Sequence, residues 1–133
     1  MTDLSQFETV EHIPFAIMHP TTQEALGPIV HVRSSSHEEV RKATRAALDH
    51  RMQKEARGKT MTVVEIERYN VKALVAMVAR IDWNGMTIDN KEPPAQPDEE
   101  FMGMMRKRFM WFTRQIEEFS ADEARFFQDS TAT

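Results

Sequence analysis

Six apolar residues, Phe101, Met105, Phe109, Phe112, Ile116 and Phe119, advance by four, four, three, four and three positions. At about 100° per residue they stay within about 80° of arc, which is the core-facing stripe of an amphipathic helix. Pro97 followed by Asp98-Glu99-Glu100 reads as its first turn, with proline where no amide partner is needed and acids at the positive end of the dipole. Arg108 projects into the same arc, so a break is expected near Arg106-Lys107-Arg108. Ser120-Ala121-Asp122-Glu123 reads as the cap of a short last turn, and residues 128–133 as a frayed tail.

The rest of the chain supplies what covers that stripe. Phe15 to Pro20 and Ile29 to Arg33 are short β-branched runs around a polar stretch ended by Gly27-Pro28, the pattern of an antiparallel strand pair. A lone ribbon is barely stable in water and must pack on helices. Ser36-His37-Glu38-Glu39 reads as a capping box with Ser36 as the cap, opening a helix from Val40 to Arg57 that Gly58 stops. Its apolar stripe is thin: Val40, Ala43, Ala47, Leu48 and Met52. Thr62-Val63-Val64-Glu65 repeats the box and opens a helix to about Asp82, in which Val71, Leu74, Val75, Met77, Val78 and Ile81 cover a wide arc. Val64 to Glu67 also alternates like a strand, but length favours helix. Residues 86 to 97, with Asn90, Pro93, Pro94 and Pro97, read as an ordered non-helical connector. The expected fold is α+β and predominantly helical, with a small N-terminal β-hairpin on three to four helices. One domain spans 1–133, flexible at 1–12 and 128–133.

Composition narrows the function classes. The chain has 133 residues, no cysteine and a net charge of −4, which disfavours disulfide scaffolds, thiolate metal sites and a protein built to coat nucleic acid. No signal-like start and no long apolar run occur, so a cytoplasmic protein with no membrane contact is expected. Charge is uneven: residues 41 to 59 carry +5, between acidic flanks. That basic helix, with Arg41, Lys42, Arg45, Arg51 and Lys54, could meet phosphates, but no aromatic interleaves it to stack bases.

Catalytic signatures are missing. His12, His19, His31, His37 and His50 form no i, i+4 pair and no HExxH, and four glycines leave nothing from which to build a phosphate-cradling loop. Neighbouring acids such as Glu99-Glu100 and Glu117-Glu118 point about 100° apart rather than sharing a proton. No enzyme, metal or cofactor is expected.

Methionine is the informative residue. Of ten in the chain, Met102, Met104, Met105 and Met110 fall beside Phe101, Phe109, Trp111 and Phe112. In a continuous helix Met110 and Trp111 point about 120° to 140° from the stripe centre, towards water or a partner. A kink would return both to the core. Thioethers re-pack cheaply, which suits a surface that accepts several similar apolar partners. Glu67 and Asn70 fall inside the apolar arc of the middle helix, marking either a polar core contact or a contact between subunits.

Phe15 to Pro20, Thr21-Thr22-Gln23-Glu24-Ala25-Leu26-Gly27 and Ile29-Val30-His31-Val32 together resemble the opening of bacteriophage tail assembly chaperones. Val78-Ala79-Arg80-Ile81-Asp82-Trp83-Asn84-Gly85, an acid-rich turn, Pro97 to Met105, Trp111 to Phe119 and Phe126-Phe127 are similar to the family's W-x-G block and terminal helices. The resemblance covers roughly residues 13 to 127 and rests on the order and spacing of short motifs. It implies a non-enzymatic protein of the infected bacterium's cytoplasm, not retained in the mature virion, which binds and solubilises the tape measure protein and helps recruit tail tube subunits. It also implies a frameshifted longer product in some members, for which codons under Phe126-Phe127 could supply the slippery run. The partner-binding residues expected are Met104, Met110, Trp111, Phe126 and Phe127, with self-association compatible. The rival readings are a structural tail or head–tail joining subunit and a nucleic-acid-binding regulator using helix 41–59.

Overall fold

The structure is a computed structural model that describes residues 3, 4 and 10–127. Strands β1 (Ile13–Met18) and β2 (Ala25–Val32) are followed by helices α1 (Glu38–Ala56) and α2 (Val63–Met77). Then come strand β3 (Val78–Asp82), helices α3 (Glu99–Arg108) and α4 (Met110–Ala121), and a 3-10 turn, Glu123–Phe126. The class is α+β, as expected, but the sheet has three antiparallel strands in the order β1-β2-β3 rather than two.

The third strand corrects the expected helix to Asp82. After Met77 the backbone turns extended at Val78 (φ −105°, ψ 114°) with no intervening loop. Val78 and Ile81 then reach the core from a pleat, and the strand covers the edge of β2 that a two-stranded ribbon would leave open. Register places Ile13 opposite Val32, Phe15 opposite Val30 and Val30 opposite Ile81, so one face of the sheet is apolar. On the other face His31 lies between Pro14 and Arg80.

Gly27 and Pro28 lie inside β2, not in the turn. They sit where β1 slips register between Ala16 and Met18 and beyond the last β3 partner, so the missing proline N–H costs no ladder bond there. Gly27 has φ +117°, and its carbonyl accepts from the Asn84 amide at 2.7 Å. Both sheet margins are tied. The Met18 N–H donates to Gln115 Oε1 and Gln115 Nε2 donates to the Met18 carbonyl, both at 2.9 Å, while the Ile81 N–H donates to the Ala95 carbonyl at 2.7 Å.

Helix α3 and helix α4 are separate, divided at Phe109 (φ −133°, ψ 55°), one residue past the expected break. Three cations close α3 at the negative end of its dipole. The break lets Arg108 leave the apolar arc for Asp89, with contacts of 2.6 and 3.0 Å. The stripe still packs: Met105, Phe112, Ile116 and Phe119 are buried with Ile17, Val30, Leu74 and Ile81. Trp83 stacks on Phe112 at 5.7 Å and donates its indole N–H to the Pro94 carbonyl at 2.7 Å. The connector is ordered and non-helical, with a bridge from Ile88 to Lys91 across Asp89 and Asn90, both at positive φ.

Helix starts follow capping chemistry with three corrections. The Thr62–Glu65 box forms as expected. The α1 cap is His37 rather than Ser36: its Nδ1 accepts the Glu39 amide at 3.1 Å, while the Ser36 hydroxyl pairs with that of Ser34 at 2.9 Å. Asp98 caps α3, its carboxylate accepting from the Phe101 amide, so Pro97 precedes the helix rather than beginning it. Ser120 caps nothing. It is buried in α4, where its hydroxyl donates to the Arg33 carbonyl at 2.7 Å. Helix α1 packs chiefly on α2 and buries only Val40 fully, leaving Leu48 and Met52 about half exposed. Of the termini expected to be flexible, residues 1, 2, 5–9 and 128–133 lie outside the described residues. Val10 and His12 are tied down, the first through its N–H to the Phe126 carbonyl at 2.7 Å and the second edge-on to His31.

Candidate functional site

Along α2 and α3 runs an open groove of about 820 Å³, in which apolar side chains lie among charged ones. Its outer lip is Val63 and Val64, 83% and 71% exposed, at the first turn of α2. Two adjacent exposed valines would ordinarily loosen a helix start, and here the capping box holds them. Glu65 of that box also accepts from Lys54 and His50 of α1, and these bonds, Lys54 first, hold its carboxyl down at about 2. The floor is Val71 beside Glu67 and Arg68 of α2, and α3 contributes Glu99, Glu100, Gly103, Met104, Lys107 and Arg108.

Beneath the groove, Arg106 locks three helices. Its Nε donates to Glu67 of α2 and its Nη1 to Glu117 of α4, both at 2.6 Å, with the guanidinium mostly buried. Burial alone would lower its pKa, and the two carboxylates more than offset that, leaving it above its ordinary value. Glu67 is therefore a polar contact at the margin of the core. Asn70 is exposed and borders a hollow between α1 and α2 with Leu48, Ile66 and Tyr69.

The five residues expected to bind a partner do not share one surface. Met104 lines the groove. The kink returns Trp111 halfway: it packs edge-on against Phe112 at 5.9 Å and borders a separate apolar hollow of about 90 Å³ with Trp83 and Phe109. Met110 stays 46% exposed and Phe127 47%. Phe126 is fully buried against Phe119 and offers no surface, which corrects its place in the set. Sequence reasoning missed Val63, Val64 and Gly103. The two valines were legible only as first-turn residues outside the buried arc, and the glycine as a poor helix former in mid-helix.

Histidines serve as cross-links. His31 pairs with Asp82 across β2 and β3 at 2.9 Å, His37 with Glu11 at 2.8 Å, and His50 with Glu65. Burial, then His31 and Arg80, pushes the His12 imidazole below its ordinary value. Among the described residues no group of three or more His, Asp or Glu could hold a metal ion, and no helix is long and apolar enough to cross a membrane. Comparison with known proteins finds no matching family model, no similar curated protein and no similar solved structure.

Proposed function

We propose that this chain is a non-enzymatic phage tail assembly chaperone whose α2–α3 groove receives an apolar helical segment of the tape measure protein. The observation that carries the reading is the groove itself. Its lip presents two valines to solvent, its wall presents Met104, and its size suits one face of an amphipathic helix. A long helical client exposes repeated apolar stripes that aggregate unless covered, and a methionine beside β-branched walls covers them without demanding one sequence. The order of the sequence motifs supports the same family. On this reading the chain acts in the cytoplasm of the host, is absent from the finished particle, and also engages the major tail tube protein.

Co-expression with the tape measure protein of the same genome tests it. The expected result is rescued client solubility and co-elution on size exclusion. In the Val63→Asp/Val64→Asp chain capture should fall at least about tenfold, while melting shifts little because both side chains are exposed. An insoluble client beside a chain eluting alone refutes the reading, and finding the chain in purified virions by mass spectrometry favours a structural subunit instead. The nucleic-acid rival keeps one observation, an exposed hollow of about 550 Å³ lined by Arg41, Lys42 and Arg45 together with Glu38. It requires DNA affinity that falls steeply with salt, and no gel shift at low salt removes it.

A further inference from the structure

The groove-facing side of α3 reads Glu99, Glu100, Gly103, Met104, Lys107 and Arg108. Glu99 and Lys107 stand four residues before and after Gly103, about 6 Å along the axis in either direction. A charge order of this kind is complementary to its own reverse. Turned end for end about Gly103, the acids of one α3 meet the lysine of the other, twice over, as a two-fold interface requires. Among the described residues Glu99, Glu100 and Lys107 make no ion pair, whereas their neighbours Arg106 and Arg108 are both engaged within the chain.

Gly103 supplies an independent observation. It lies inside a helix, where glycine is a poorer choice than alanine, and a Cβ built on it meets nothing within 4 Å. Nothing in the chain's own packing calls for its missing side chain. The approach of a second helix backbone does, and it would come at the centre of the charge pattern. From these observations we propose that two copies of this chain pair about a two-fold axis at Gly103, α3 antiparallel to α3, each copy covering the other's groove. Met104 and the exposed Val63 and Val64 supply the apolar contact, and Glu99 and Glu100 face Lys107 of the second copy at both ends. The pairing goes beyond the chaperone reading and does not depend on it.

Gly103→Ala puts a methyl at the axis, and its effect on pairing is read by sedimentation equilibrium. It is expected to weaken self-association at least about tenfold, whereas Ala46→Ser, on the exposed side of α1, leaves it unchanged. Sedimentation equilibrium of the unmodified chain should show a concentration-dependent monomer–dimer exchange. Lys107→Glu should weaken it at least about tenfold by setting like charges together, and adding Glu99→Lys should restore it to within about threefold. Both positions are exposed, and circular dichroism checks that the variants stay folded. A chain monomeric at every concentration overturns the proposal. So do a dimer indifferent to Lys107→Glu, a double swap that fails to restore it, and a Gly103→Ala chain that pairs as tightly as the unmodified one.

Discussion

Phe126 and Phe127 are adjacent and chemically identical, yet one is fully buried and the other nearly half exposed. Phe126→Ala should therefore cost about 3–5 kcal/mol of folding stability, and Phe127→Ala less than about 1 kcal/mol, in denaturant unfolding followed by circular dichroism. Arg106→Ala should cost about 2 kcal/mol, because Glu67 and Glu117 are left facing each other without the guanidinium that joins them. Gly103→Ala has the opposite sign. Measured where the chain is monomeric it should stabilise by about 0.5–1 kcal/mol, since the added methyl meets no atom, while self-association weakens. At this scale the sequence reveals chemistry better than exposure. Met110, read as pointing away from the stripe, does stay half exposed, but nothing in a Phe-Phe pair says which ring the 3-10 turn will carry inward.

At the scale of elements, the helix starts with the strongest local chemistry are the legible ones. The Thr62–Glu65 box is complete in four residues and forms as written. Strand β3 is not legible, because Val78 and Ile81 continue the helical spacing of Val71 and Leu74 and only the vacant edge of β2 decides against helix. The break at Phe109 is hinted at by Arg108, whose charge does not fit the apolar stripe. The junction of α1 and α2 gives a pH prediction. With its carboxyl at about 2 in the folded chain against an ordinary 4.5, Glu65 contributes stability that is fully present above pH 4.5 and is lost as pH falls towards 2. Unfolding midpoints measured between pH 5 and pH 2 should fall in the unmodified chain, and this component of the fall should be missing from Glu65→Gln.

For the whole molecule, the proposed client and the proposed second copy would take the same groove. If client and second copy compete for it, capture per chain should decline once the chain concentration exceeds the dimer dissociation constant, which titration against a fluorescent client helix would measure. The α+β class was legible from periodicity alone, whereas the groove depends on how α2 and α3 lean together on Arg106, which no local pattern encodes. The tied sheet margins carry a different consequence. A sheet can be regarded as a polymer whose monomers are strands and whose reactive ends are its unpaired edges. The amide of Gln115, matching the peptide of Met18 donor to acceptor and acceptor to donor, acts there as a chain terminator, and the Ala95 carbonyl quenches Ile81 on the opposite end. Propagation through strands is stopped at both points. Gln115→Leu should thus raise light scattering on prolonged incubation well below the melting temperature, the signature of a living end restored.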